Sequence, residues 1–467
     1  MSHLLDDDTA QGLADLAADR RGLARRQAIA LAGGVFGGIA AVPLLAPRAS
    51  AQGANPNAPG AAEISVAGAR QEPIPIAIPS FGPGLGDQIT SVINNDLAGC
   101  GLFRPLGAAA SAGGGSGMPD FATYKAMGAR ALVTGSAQGG GSNARVEFRL
   151  WDVNAGQQLQ GTAFTTSGAN WRRIAHMIAD VIYSRMLGES GYFDTRICYV
   201  ARSGSRSSPV TRLAIMDQDS ANNRVLTGGE WLVLSPRFAP HADQIAFMSF
   251  ANNRPRVYLY DLGSGRQRVL GEFPGMSFSP RFSPDGGSVL MAVTRGGGSD
   301  IWRVSLGGGR TQLTNSGAID VSPCYSPDGS QIVFCSDRDG SPQLYVMGAG
   351  GGGAKRISYG KGQYESPVWS PRGDLIAFSR IGGGGFALGV MNPDGSGERT
   401  LTSGFTVEGA SFCPNGRVIA YCEQSAAGSG GGGFSSWLSQ IDIAGFNQRR
   451  MSTPGGASGP AWSPLAG

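Results

Sequence analysis

The chain has 467 residues, of which 75 are glycine and only 15% are charged, and its formal net charge is +4. That length exceeds one ordinary core and calls for at least two domains. The composition excludes coiled coil and acidic disorder, and the lack of a basic run beyond the N-terminus argues against a nucleic-acid partner.

The N-terminus reads as an export signal. Arg20, Arg21, Arg25 and Arg26 precede an apolar run from Ala28 to Leu45, and Ala49-Ser50-Ala51 supplies small residues for cleavage. The pattern predicts a signal peptide over 1–51, cut between Ala51 and Gln52. A transmembrane anchor is the competing reading. Gly33, Gly34, Gly37, Gly38 and Pro43 interrupt the run, which favours removal. The arginine pairs suggest twin-arginine export. The stretch Arg25-Arg26-Gln27-Ala28-Ile29 lacks two clean apolar residues after the variable position, so the general secretory route stays open. No later stretch is apolar and long enough to span a membrane. Export permits disulfides among Cys100, Cys198, Cys324, Cys335, Cys413 and Cys422. No CxxC pair occurs, and buried free thiols are the alternative.

Residues 52–62 are small and polar, with Pro56 and Pro59, and read as a flexible arm. Residues 63–190 carry no repeat and predict a small α+β domain. Ile74 to Ile78 is a strand. Leu85 to Leu97 is a helix with Ile89, Val92, Ile93 and Leu97 on one face. Gly107 to Gly117 is a loop, about 120–127 a short helix, and Ala131 to Thr134 a strand. Ala144 to Val153 alternates, with Val146, Phe148 and Leu150 on one side and Trp151 opposite. It pairs with Leu159 to Thr165 through Asn154-Ala155-Gly156. Asn170 to Leu187 is an amphipathic helix whose apolar stripe includes Ile174, Ile178 and Ile182. His176 falls on its polar side.

Beyond the linker the chain repeats. Ser322-Pro323-Cys324-Tyr325-Ser326-Pro327-Asp328-Gly329 is strand followed by tight turn, with proline fixing φ and glycine taking the φ > 0 position. Six copies begin at 235, 279, 322, 366, 409 and 459, at steps of 44, 43, 44, 43 and 50. Gly428 to Gly433 is an insertion that lengthens the last step. A second series, typified by Arg224-Val225-Leu226-Thr227 and Thr311-Gln312-Leu313-Thr314, also recurs six times, out of phase. Periods in the forties with strand-turn-strand content predict a six-bladed β-propeller over 191–467. One blade is split: the strand at 459–464 closes the ring by pairing with strands from 196–227, which removes the free edge. The aromatic series Phe238, Phe282, Tyr325, Trp369, Phe412 and Trp462 is read as packing between blades.

The residues offer little catalytic chemistry. The three histidines are His3, His176 and His241, and no spacing between them suits a metal. A peptidase-type propeller would need a Gly-x-Ser-x-Gly elbow, and the chain has none. Asp285 and Asp328 have turn roles. Ser336-Asp337-Arg338-Asp339-Gly340 lacks the further ligands of a calcium loop and reads as a hairpin turn. The expectation is a non-enzyme with no cofactor and no metal. What remains is surface. The residues ahead of each Ser-Pro copy are expected in loops at the channel mouth of one face. They are Met276, Ser277 and Phe278; Ile319, Asp320 and Val321; Gln363, Tyr364 and Glu365; Thr406, Val407 and Glu408. The set mixes apolar, aromatic and acidic types, as binding faces do.

The order of signal, small α+β domain and six Ser-Pro-x-aromatic-Ser-Pro-Asp-Gly copies resembles the TolB family of the bacterial Tol-Pal envelope system. Phe193-Asp194-Thr195-Arg196-Ile197-Cys198-Tyr199-Val200 and the terminal Pro460-Ala461-Trp462-Ser463-Pro464 carry the resemblance further. The resemblance implies a monomeric, non-catalytic periplasmic scaffold. Its propeller face would bind the peptidoglycan-associated lipoprotein Pal, and its N-terminal arm, about Gln52 to Arg70, would engage TolA. The implied role is outer-membrane integrity and invagination during division. This arm is rich in Pro, Gly and Ala, and Met276 and Phe278 make one loop more apolar than the family pattern. Two other readings stand beside this one: an exported propeller holding a small ligand or glycan in its channel, and a degenerate peptidase relative.

Overall fold

The computed structural model of the chain describes residues 72–107, 118–140, 143–204, 208–240, 244–425 and 435–465. The signal segment with Ala51 and Gln52, the arm, His241 and the 428–433 insertion lie outside them.

The first domain is a five-stranded sheet covered by helices. Its elements are β1 (Ile74–Ala77), α1 (Leu85–Gly99), β2 (Phe103–Leu106), α2 (Phe121–Ala126), β3 (Ala131–Gly140), β4 (Asn143–Asp152), β5 (Gln157–Thr166) and α3 (Trp171–Leu187). The strand order is β2-β1-β3-β4-β5. The β1 pairings are parallel and those among β3, β4 and β5 antiparallel. Alternation along β4 sorts its side chains by face. Val146, Phe148 and Leu150 join the helices in the main core, while Trp151 packs with Tyr124 and Leu132 on the other side. Helix α3 ends at Gly188, whose φ of 73° suits a glycine stop.

The rest of the chain forms six four-stranded antiparallel sheets. Their inner strands are Val233–Phe238, Ser277–Phe282, Asp320–Tyr325, Gln363–Trp369, Thr406–Phe412 and Gly456–Trp462, here blades 1 to 6. Blade 6 is composite. Gly456–Trp462 pairs with Arg196–Gly204, which pairs with Pro209–Asp217 and then Arg224–Val225. The chain's last described strand thus lies beside the propeller's first.

Every inner strand is bulged at the same place. Ser235, Ser279, Ser322 and Ser366 all have φ of 52°, and Gly409 and Gly459 take φ of 71° and 56° in blades 5 and 6. The pairing register slips at each of these points. A bulge adds twist and re-aims the following side chain. The Ser-Pro phrase therefore encodes a bulge as well as a turn.

Core packing runs without a break from the first domain into blades 5 and 6. One cluster unites Ile93, Ile178 and Tyr183 with Cys413, Ala420, Leu438 and Trp462. All six cysteines are free and buried. No helix among the described residues is long and apolar enough to cross a membrane.

Candidate functional site

The ring has two unlike faces. Inner strands start at the upper face and run to the turn that leads into the second strand, at the lower face. The first domain docks below. Asn415 Nδ2 donates to Ser190 O at 2.7 Å, Arg417 Nε to Glu189 at 2.8 Å, and Arg372 lies 3.7 Å from Glu189. Asn415, Arg417 and Arg372 all sit on lower-face turns of blades 4 and 5. The upper face stays clear of these contacts.

The residues expected to form a binding surface lie at the upper ends of the inner strands, but few are surface. Ser277, Phe278, Ile319, Asp320, Val321, Tyr364, Thr406 and Val407 are buried. Met276, Glu365 and Glu408 are partly exposed, and Gln363 is exposed. Met276 and Ile319 do precede their strands, but for the rest the loop placement is corrected: these strands begin earlier than the motif suggests, and their first residues already pair with the second strand. Ser277 lies opposite Val293, Tyr364 opposite Arg380 and Thr406 opposite Gln424. Asp320 is fully buried and accepts from Arg338 at 3.0 Å, whose guanidinium also lies over the rings of Phe334 and Tyr345. Tyr364 donates its hydroxyl to Glu398 at 2.9 Å. Each of these contacts lies within its own blade, blade 3 for Asp320 and blade 4 for Tyr364.

The upper face instead offers aromatics from the connections that lead into inner strands. Trp231 is 40% exposed, Tyr359 71% and Phe405 47%. They precede blades 1, 4 and 5. The Tyr359 hydroxyl donates to Arg356 O at 2.9 Å and its ring carries the Arg356 guanidinium at 5.0 Å, so its orientation is fixed before any partner arrives. Sequence reading passed over these three. Their signal was a bulky ring standing outside both repeat series, just upstream of a Ser-Pro strand.

Glu365 and Glu408 occupy one strand position on neighbouring blades, each immediately before the bulge. The equivalent residues in blades 1 to 3 are Leu234, Phe278 and Val321, which share one apolar cluster. Burial raises the Glu365 carboxyl above its usual range. Burial, then the charge of Glu365, raises Glu408 to about 8, and its Oε1 has no hydrogen-bond partner among the described residues. This level of the inner strands thus pairs an apolar arc with two carboxyls.

A second polar cluster joins the domains. His176 is 3% exposed, not on a solvated helix side as its position in the stripe suggested. The turn Asp217–Asp219 of blade 6 covers that side of α3. His176 Nδ1 lies 2.7 Å from Asp96 Oδ2 of α1, and its Nε2 lies 3.9 Å from Asp219. Asp96, His176 and Asp219 place ligand atoms within 4.8 Å of one another, a metal-like grouping that spacing could not reveal. However, Arg172 bonds Asp219, and Gln218 donates to Asp96 at 2.7 Å. Both carboxylates are therefore already partnered, and the cluster reads as an interdomain ion-pair network.

Comparison with known proteins fits this architecture. Residues 183–466 match the TolB beta propeller domain, and residues 62–159 match the TolB amino-terminal domain. The chain is 66% identical over 433 residues to the Tol-Pal system protein TolB of Gluconobacter oxydans (strain 621H), covering 92% of this chain and 94% of that one. The crystal structure of TolB from Acinetobacter baumannii superposes with a TM-score of 0.74 at 28% identity, covering 85% of this chain and 98% of that one. Two matched domains in the same order, on a chain of nearly the same extent, settle the affiliation: this chain belongs to the TolB family of the Tol-Pal system.

Proposed function

We propose that this chain is a non-catalytic periplasmic scaffold. Its upper propeller face binds the lipoprotein Pal, and its N-terminal arm engages TolA, in support of outer-membrane integrity and division. The observation that carries the reading is the division of faces: the lower face is occupied by the first domain, while the upper face presents Trp231, Tyr359 and Phe405 around an acidic, partly apolar channel mouth. Exposed aromatics around a desolvated centre are the usual energetic anchors of protein interfaces. Family membership supports Pal as the partner, and the export signal supports the compartment.

The test is a calorimetric titration of the chain from residue 52 to 467 with purified Pal of the same envelope. Binding at micromolar or tighter affinity is expected. Trp231→Ala and Tyr359→Ala should each weaken it by roughly tenfold or more without changing the unfolding midpoint. Reversing Asp320 would test folding instead, because its carboxylate is buried against Arg338. No binding at high concentration would remove this function and favour a small ligand or glycan in the channel.

A further inference from the structure

Three residues beyond Ser235 and Ser279 the chain places Phe238 and Phe282 between blades; two residues beyond, it places Arg237 and Arg281. The two arginines hold the same position on neighbouring inner strands, opposite Ala246 and Leu290 of their own second strands. The equivalent positions on the other four blades are Cys324, Val368, Ser411 and Ala461, and none is charged. This level of the ring thus carries two positive charges and no acid.

Both arginines are partly buried. Arg237 Nη1 donates to its own neighbour, Pro236 O, at 2.7 Å. Neither guanidinium has a carboxylate partner among the described residues. Burial, then the charge of Arg281, pushes Arg237 well below its usual range, while the thiols of Cys324 and Cys198 act in the opposite sense. Burial pushes Arg281 down as well. Propeller blades surround a central channel with their inner strands, and these two arginines stand at the same level of two neighbouring inner strands. Guanidinium does not give up its proton near neutral pH. Two like charges confined together are costly unless an opposite charge joins them.

We propose that Arg237 and Arg281 form a binding site in the propeller channel for a small oxyanion of the phosphate or sulfate type. The planar guanidinium forks suit two oxygens each. The site is independent of the upper-face interface and lies nearer the lower ends of the inner strands than Glu365 and Glu408 do.

The experiment is thermal unfolding of the exported chain in sodium sulfate, sodium phosphate and sodium chloride at matched ionic strength. Sulfate strengthens folding generally through exclusion from surfaces, and that effect rises without saturation. The site adds a saturable rise in midpoint for sulfate and phosphate beyond chloride. The double variant Arg237→Met with Arg281→Met should lose the saturable part and keep the rest. Arg281→Met alone should also be more stable than the parent in anion-poor buffer, because it removes the repulsion. If the double variant does not fold, the single variant carries the comparison. A parent response with no saturable part, or a saturable part unchanged in the variants, would overturn the site.

Discussion

Gln218 Nε2 donates to Asp96 Oδ1 at 2.7 Å, and the bond ties a propeller turn to the first helix of the other domain. The second oxygen of Asp96 faces His176 Nδ1 at 2.7 Å. Asp96 is 1% exposed, so each oxygen depends on these partners. Gln218→Ala leaves one oxygen of a buried carboxyl unsatisfied. The expected cost is about 1–3 kcal/mol, read as a lower urea midpoint. If His176→Ala and Gln218→Ala prove additive, the cluster does not act as a unit; a double-mutant cycle should return a coupling of at least about 0.5 kcal/mol.

Glu408 gives the channel a pH dependence whose sign is fixed. Its folded value, about 8, lies above the ordinary 4.5. The folded state therefore holds this proton more tightly than the unfolded one. Stability from this group is fully present below the unfolded value and is lost as pH rises through about 8. Glu408→Gln keeps the shape without the charge. It should match the parent near pH 5 and exceed it at pH 9, so the two stability curves diverge on the alkaline side. Parallel curves across that range would show that Glu408 is hydrated and titrates normally.

The bulges make a sharper claim about sequence. Ser366 has φ of 52°, where an L side chain is strained and glycine is not. Blades 5 and 6 already use Gly409 and Gly459 there. Ser366→Gly should therefore be neutral or stabilising by up to about 1 kcal/mol. Ser366→Val should destabilise by about 1–3 kcal/mol, since a β-branched residue fits this region worst. Equal midpoints for the two variants would contradict the bulge as the reason for the motif.

The architecture was legible because a propeller writes its period into the chain. Pro327-Asp328-Gly329 and its counterparts are local turn chemistry, and six copies at steps of 43 to 50 residues count six blades without any tertiary knowledge. The site was much less legible. Asp320 and Tyr364 stand where a motif-based reading puts loops, yet they pair within strands, opposite Ser336 and Arg380, and are buried. Glu365 and Glu408 each stand one residue ahead of a bulge, at Ser366 and Gly409, that the motif does not announce. His176 looked solvated because its cover comes from Asp217–Asp219, more than forty residues later in the chain and in another domain. Trp231 and Tyr359 fell outside both repeat series, so a search for repetition looked past them.

Trp462 tests how the ring is held shut. Its backbone N–H donates to Ser411 Oγ of blade 5 at 2.9 Å, and its Nε1–H donates to Thr195 Oγ1 at 2.8 Å. Its ring meets Tyr192 edge-on at 5.8 Å. One residue thus bonds the closing strand's neighbour blade through its backbone, and through its side chain Thr195, just ahead of Arg196–Gly204, and the aromatic ring of Tyr192. Trp462→Ala should cost about 3–5 kcal/mol, at the level of a large core truncation. Trp462→Phe keeps the packing and loses only the Nε1 bond, while the Thr195 hydroxyl still donates to Tyr192 O at 2.6 Å, so it should cost about 1 kcal/mol. The pair separates two kinds of closure. If packing of the core closes the ring, the phenylalanine variant stays near the parent and the alanine variant falls far below it. A phenylalanine variant as unstable as alanine would place the closure in the Thr195 hydrogen bond instead.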